Sequence, residues 1–437
     1  MFTMTLATLV ICLVGVAVAE QHWALLVAGS NGYDNYRHQA DICHAYHIVR
    51  NHGIPDERII VMMYDDIANS AENPFPGNVI NKPGGPNVYP GVPKDYTGED
   101  VTPDVFLKVL TGDSDGIKNL LGREGKVIKS GPDDRVFVNF ADHGATGLLA
   151  FPNDLLLYRD DLHKAIKSMY NKKQYKQMVF YVEACESGSM FNTLLESNIN
   201  VFATTAANPD ESSYACYYDE SRQTYLGDLY SVNWMEDSDK ENLSQETLQN
   251  QFKIVRSETN TSHVMEYGDL KIGNLKVADF QGNLTSRSLN FFPMLKYHPS
   301  LDAVPSEDVS MHILKKKIEK ADGDEEMRHR ATLQKLLQRK QATEEFFQKV
   351  VALVTKFDLF DTFLRATIKL SDFKCYKESV RLLQELCPGM KLVQNDYALR
   401  KLRVLANMCE TDIPKEQIWS AIGKVAYESS FCAAATM

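Results

Sequence analysis

The chain has 437 residues, 44% of them hydrophobic and 24% charged, an ordinary globular balance on a length that suggests two domains. Its formal net charge of -11 argues against nucleic acid as a partner. A chain of this size buries a core without needing covalent staples.

An apolar run from Leu6 to Ala19 opens the chain and ends in the small residues Ala17-Val18-Ala19. It is shorter than the roughly 20 residues a spanning helix needs, so residues 1–19 read as a signal peptide, although no Lys or Arg precedes the run. Cleavage would start the mature chain near Glu20, and no later stretch is apolar enough to span a membrane. A secretory route to a lysosome or endosome, or to the outside, is the expectation.

Short apolar segments follow at His22–Ala28, Arg58–Met63, Arg135–Ala141, Met178–Ala184 and Asn200–Thr205, each bounded by turn residues. Helical stretches such as Ala40–Asn51 and Tyr158–Tyr170 separate them, which predicts an α/β fold with a parallel sheet covered on both faces. The Pro- and Gly-rich segment Asn73–Gly98 reads as a long irregular loop, and such loops tend to be functional. Tyr297–Ser306, with Pro299 and Pro305, reads as a linker. From about Val309 helical periodicity takes over: Leu333, Leu336 and Leu337, then Phe346, Phe347, Val350 and Val351, fall on one face. Residues 309–437 therefore read as an all-α domain. It carries 22 Lys+Arg against 17 Asp+Glu, which leaves the rest of the chain strongly acidic. Opposite charge predicts electrostatic docking of the two parts, weakened when acid protonates carboxylates.

Cys12 lies in the leader, Cys43, Cys185 and Cys216 are scattered, and Cys375, Cys387, Cys409 and Cys432 cluster near the end. On an oxidising route the last four form two disulfides, with three pairings open. Sequons at Asn242, Asn260 and Asn283 fit the same compartment as glycosylation sites.

The chemistry stands at two strand ends. The third strand runs into Asp142-His143-Gly144 and the fourth into Glu183-Ala184-Cys185-Glu186-Ser187-Gly188. Active groups of open α/β sheets gather at the carboxyl ends of strands, so parallel neighbours would bring His143 and Cys185 to one edge. A Cys thiolate attacks a carbonyl and a His serves its proton traffic. The N–H groups of Gly144 and Cys185 could form an oxyanion hole.

These motifs identify the chain as similar to caspase-like proteases. The blocks Ala28-Gly29-Ser30-Asn31-Gly32, Asn35-Tyr36-Arg37-His38-Gln39-Ala40-Asp41, Met62-Met63-Tyr64-Asp65-Asp66, Val92-Pro93-Lys94-Asp95-Tyr96-Thr97-Gly98, Glu183 through Ser189, and Tyr225-Leu226-Gly227-Asp228 resemble the legumain (asparaginyl endopeptidase) family. The resemblance implies a caspase-like α/β sandwich with a mostly parallel six-stranded sheet over residues 20–300. It also implies a linker and activation peptide over 301–345 and a helical, disulfide-linked, all-α C-terminal prodomain over 346–437. It implies His143 and Cys185 as catalytic dyad, Asn35 as the group orienting His143, and an S1 pocket of Arg37, His38, Glu183 and Asp228 walled by Ser212 and Ser213. Arg37 would donate to the carboxamide oxygen of a P1 asparagine, while Glu183 and Asp228 accept from its amide. Aspartate, lacking those hydrogens, should be cleaved only in acid. Asp142 reads as a structural acceptor ahead of a succinimide-forming residue.

By the same resemblance Cys375 pairs with Cys409 and Cys387 with Cys432, although Cys432 follows Cys409 at a wider spacing than the pattern has. The prodomain would cover the active site as the chain's own inhibitor. Peptides and proteins are the implied substrates, and cystatin-type inhibitors are a further partner class. No asparagine lies in Glu319-Lys320-Ala321-Asp322-Gly323-Asp324, so self-processing in acid is expected after Asp322 or Asp324. A caspase-like protease of different P1 preference and a non-enzymatic binding member of the fold remain the alternatives, with peptide ligation as a further outcome of the same thioester. A Cys protease needs no cofactor, and no metal-ligand cluster stands out in the sequence.

Overall fold

The structure is a computed structural model that describes residues 20–283, 299–355 and 359–433. The leader reading of residues 1–19 lies outside the described residues. Among the described residues twelve strands occur in chain order: β1 (His22–Ala28), β2 (Ile59–Met62), β3 (Arg135–Ala141), β4 (Gly144–Ala145), β5 (Leu148–Phe151), β6 (Leu155–Tyr158), β7 (Gln177–Glu183), β8 (Val201–Thr205), β9 (Tyr214–Asp219), β10 (Thr224–Asp228), β11 (Met265–Gly268) and β12 (Val304–Pro305). Six of them form one sheet in the order β11-β8-β7-β3-β1-β2, all parallel except β11, which runs antiparallel to β8. All five strands read from the sequence are in it. β3 is buried throughout, as a strand covered on both faces must be.

Alternation sorts the side chains into two cores. Ala24, Leu26 and Ala28 of β1 join one cluster, and Trp23, Leu25 and Val27 the other. The first cluster lies under α1 (Tyr36–Asn51), the second under α2 (Pro103–Leu110), α3 (Ser114–Leu121) and α4 (Arg159–Asn171), and α5 (Leu229–Lys240) and α6 (Leu248–Glu258) return to the first. α1 begins at Tyr36, earlier than its apolar pattern suggests, so Arg37 and His38 stand on its first turn. The loop Asn73–Gly98 has no regular element before Gly98, yet it buries Val79, Ile80, Val88 and Val92.

After the short α7 (Ala278–Gln281) the described residues form six more helices: α8 (Val309–Lys320), α9 (Gly323–Val354), α10 (Phe360–Arg365), α11 (Phe373–Leu386), α12 (Asp396–Cys409) and α13 (Lys415–Glu428). The all-α reading of the second half holds. The apolar face of α9 is buried only at Phe346, Phe347, Val350 and Val351; Leu337 is exposed, because the first half of α9 lies outside the helical core. α9 runs unbroken through residues 345–346, so secondary structure marks no boundary there. The disulfides are Cys375–Cys409 and Cys387–Cys432. Among the described residues no helix is long and apolar enough to cross a membrane.

Of the segment expected to be a linker, Tyr297 and His298 lie outside the described residues, and the rest includes a strand. β12 adds antiparallel to β9, with Val304 opposite Ala215 and Pro305 opposite Tyr214, completing a three-stranded sheet with β10. Two prolines and no apolar period hid this strand, whose partner lies far away in sequence.

Candidate active site

Register explains why two distant motifs meet. β3 and β7 are parallel neighbours with Ala141 opposite Glu183, so His143 and Cys185 each stand two residues beyond one paired rung. A Cβ on Gly144 would collide with the Cys185 carbonyl, so only glycine lets the β3 exit pass this closely.

Nε2 of His143 lies 2.8 Å from Asn35 Oδ1. The amide oxygen only accepts, so Nε2 carries the proton and the Nδ1 lone pair is left for chemistry. That Nδ1 faces Ser306 Oγ and Asp396 Oδ1, each at 3.5 Å. Burial, with the charge of Arg37, holds the imidazole well below its ordinary pKa. Burial pushes the Cys185 thiol up to about 12, with the Glu307 carboxylate adding to it. The thiol's neighbours are Ser213 N–H, which donates to Sγ at 3.3 Å, and Ser213 Oγ at 3.7 Å. Both reactive groups are thus neutral in this closed state.

The four charged residues expected to form a pocket are together and buried. Arg37 Nε donates to Asp228 Oδ1 at 2.9 Å, and its second nitrogen donates to Ser306 Oγ at 2.9 Å. His38 Nε2 stands 3.5 Å from Asp228 Oδ2. Glu183 Oε2 accepts from the N–H and hydroxyl of Ser231 at 2.9 and 3.0 Å. Glu183 Oε1 and Asp228 Oδ2 are buried with no hydrogen-bond partner. Burial raises the pKa of both carboxyls, Glu183 further by the charge of Asp228. Ser212 donates to Glu307 at 2.7 Å, and Ser213 sits beside the thiol. Asp142 is fully buried beside the dyad: no side chain hydrogen-bonds to its oxygens, the His143 backbone N–H favours its charged form against a burial that raises its pKa well above the ordinary range, and His38 Nδ1 stands 3.5 Å from Oδ1. His38, Asp142 and His143 do form a three-residue group whose ligand-type atoms approach one another, which the sequence did not single out.

The C-terminal part closes the site through groups that sequence reasoning missed. Ser306 N–H donates to Ser213 O at 3.0 Å, laying β12 and its next residue across the cleft as an added strand. Glu186, buried and in a left-handed backbone conformation, takes Arg400 at 2.5 Å, Arg403 at 3.4 Å and Thr146 Oγ1 at 2.5 Å. Arg403 also pairs with Asp210 at 2.6 Å, and Lys377 reaches Asp160 and Asp161 at 2.8 and 2.7 Å. Each of these ion pairs sets a base of the helical part against an acid of the α/β part, the direction the charge split predicts. The apolar core of the helices runs on into Ala145, Leu148, Ala150 and Tyr158 of β4–β6. Asn242, Asn260 and Asn283 are exposed, and so are Asp322, between α8 and α9, and Asp324 at the start of α9.

The peptidase C13 family matches residues 22–283, and the legumain prodomain family matches residues 331–426. Mouse legumain is 53% identical over 409 residues, 93% of this chain and 92% of its own length. Human legumain is 52% identical over 91% of each chain, and the hemoglobinase of Schistosoma japonicum 42% identical over 93% and 94%. A crystal structure of caspase-1 from Spodoptera frugiperda shares 9% identity at a TM-score of 0.33, over 57% of this chain and 86% of that one. The chain belongs to the peptidase C13 family, as a legumain-type cysteine endopeptidase zymogen whose C-terminal prodomain is its own inhibitor.

Proposed function

We propose that this protein hydrolyses peptide bonds after asparagine, with Cys185 as nucleophile, His143 as proton carrier and Arg37, His38, Glu183 and Asp228 as the S1 pocket. The supporting observation is the strand β12 with Ser306 just after it: β12 pairs with β9 as a substrate would, and Ser306 meets Arg37. A P1 residue in that position reaches the guanidinium first. An asparagine there receives a hydrogen bond at its oxygen and offers two amide hydrogens, and two buried acceptors, Glu183 Oε1 and Asp228 Oδ2, stand without partners. A pocket that satisfies both ends of a carboxamide rejects side chains that leave one end unpaired.

Once the prodomain leaves, Cys185 and His143 regain solvent and the penalty on their charged forms falls. The Cys185 sulfur attacks the scissile carbonyl while its proton passes to Nδ1 of His143. The oxyanion is held by the N–H groups of Gly144 and Cys185. The C–N bond breaks as His143 protonates the leaving amine, and Asn35 keeps the ring aligned throughout. Water, activated by the same nitrogen, resolves the thioester; an amine in its place gives ligation.

Activation proceeds in acid by self-cleavage after Asp322 or Asp324. Asp322 lies between α8 and α9, before Gly323 at φ +54°, whereas Asp324 is inside the first turn of α9 and needs that turn unwound. The expected compartment is a lysosome or endosome on the secretory route, with glycans on Asn242, Asn260 and Asn283 and with cystatin-type proteins as outside inhibitors.

The experiment is hydrolysis of a fluorogenic peptide with asparagine at P1, before and after acid incubation, beside Cys185→Ser, with the new C-terminus sequenced. Activity only after acid, absent in the variant, supports the proposal; a folded protein that cleaves nothing refutes it.

A further inference from the structure

Behind the pocket lies a carboxyl that the reading above does not use. Asp41 follows Arg37 by one helical turn on α1 and is fully buried. Its Oδ1 accepts from Asn81 Nδ2 at 2.6 Å, and its Oδ2 accepts from the backbone N–H of Asp228 at 3.3 Å. Asn81, in the long loop, donates also to Leu226 O at 2.9 Å and accepts from His44 Nδ1 at 2.8 Å. His44 Nε2 meets Asp239 Oδ2 at 3.0 Å. A continuous polar row therefore runs from the S1 floor to a carboxylate at the edge of the interior. Both neighbours of the His44 ring are acceptors, so the ring donates from both nitrogens and is an imidazolium. Although burial opposes that charge, Asp239 outweighs it and the pKa is raised. The cation fixes the Asn81 amide with its NH2 toward Asp41.

Three carboxyls, Asp41, Glu183 and Asp228, share this interior with one guanidinium, Arg37, and with the neutral groups His38, Cys43 and Cys216, while a fourth buried carboxyl, Asp142, stands on the far side of His38. Burial, then the charge of Asp228, pushes Asp41 well above the ordinary carboxyl range, and burial also raises Asp228. The His44 imidazolium is matched by Asp239, which leaves Arg37 as the one cation for these carboxyls; a low-dielectric cluster so composed cannot keep them all ionised side by side, so it retains a proton.

We propose that Asp41 is a positioning residue for substrate choice that trades one proton with Asp228. With the proton on Asp41, Asp228 accepts from an asparagine carboxamide. With the proton on Asp228, the same oxygen donates to an aspartate carboxylate, while Asp41 is stabilised by Asn81 Nδ2 and the Asp228 N–H. The proposal rests on Asp228 being in the S1 floor. It makes aspartate cleavage in acid a property of the pocket as well as of the substrate's own carboxyl.

Asp41→Asn tests it by replacing the movable proton with a permanent amide donor. Variant and wild-type zymogens are opened at acid pH with a trace of wild-type enzyme, whose contribution is subtracted. Matched peptides with Asn or Asp at P1 are then followed from about pH 4 to pH 7 on one preparation. The aspartate-to-asparagine ratio of kcat/KM should fall about tenfold or more, with aspartate cleavage beginning about one pH unit lower. Asn81→Leu keeps the carboxyl but removes the donor to its ionised form, and should shift the ratio in the same direction by less. An unchanged ratio and aspartate onset in folded Asp41→Asn overturns the proposal; if that variant does not fold, an unchanged ratio in Asn81→Leu overturns it. Asp228→Asn with undiminished asparagine cleavage would instead overturn the S1 assignment beneath it.

Discussion

Ser306→Asn should turn the plug of the zymogen into a substrate. On the proposed S1 reading Ser306 takes the position of a P1 residue: its N–H donates to Ser213 O at 3.0 Å and its hydroxyl accepts from Arg37 at 2.9 Å. Serine is too short to reach Glu183 Oε1 and Asp228 Oδ2, which stay unpaired. An asparagine side chain in its place supplies both with amide hydrogens. At a net ~1 kcal/mol for each new hydrogen bond, the closed state gains about 2 kcal/mol, or roughly thirty-fold in docking. At neutral pH the variant should therefore stay closed more firmly than wild type. In acid, with the dyad competent, the peptide bond between the substituted position and Glu307 becomes cleavable. The assay is intact mass after incubation at about pH 4–5, where carboxyl groups titrate. A fragment ending at residue 306 should appear in Ser306→Asn and be absent from wild type and from Ser306→Asn combined with Cys185→Ser. No cut at 306 in a sample that hydrolyses a P1-asparagine peptide would mean that Val304–Glu307 does not lie in substrate register, and the pocket reading would lose its main support.

Arg403→Ala removes one of two arginines from buried Glu186. Breaking a buried pair costs ~3–5 kcal/mol, and with Arg400 left in place the lower end applies, so the zymogen should hydrolyse peptide at about pH 7 without acid treatment. Arg37→Ala should abolish asparagine cleavage, and near-normal kcat/KM would refute its role. The Glu246 carboxyl, raised by burial and then by Asp237 to about 7, favours the folded state while protonated. Its contribution is complete below the unfolded value of 4.5 and is lost as pH rises through about 7. Tm of the full chain should fall over that window, and Glu246→Gln should flatten the fall; identical slopes would exclude this carboxyl as a source.

Much of the sheet was legible because strands covered on both faces write themselves as uninterrupted apolar runs: all five parallel strands were readable this way. β9 and β10 were not. Tyr214–Asp219 and Thr224–Asp228 mix tyrosine, small and charged residues, and they pair in a small sheet of their own outside the buried six-stranded one. α5 was hidden for the opposite reason, being buried nearly all round and so lacking an amphipathic stripe. At the site, His143 and Cys185 were visible from their strand ends and the pocket residues from their motifs. Glu186 and Asp41 stood inside quoted motifs without a stated role; the spacing of Arg37 and Asp41, one turn apart on one helix face, was an available signal. Ser306 and Asp396 carried none, because their meaning depends wholly on what they touch across the two parts of the chain.

Both disulfides join prodomain residues to one another, and Cys43, Cys185 and Cys216 remain free thiols, so among the described residues no covalent cross-link ties inhibitor to enzyme. While the chain is whole, the inhibitor is present at the effective concentration of a tethered group, in the millimolar range, whatever the dilution of the protein. One cut between the two parts changes the order of the reaction: release becomes a true dissociation, and recapture depends on how much free prodomain shares the volume. Inhibition after cleavage is therefore a matter of mass action. It persists in a crowded vesicle, fades on dilution, and is restored by adding the prodomain back.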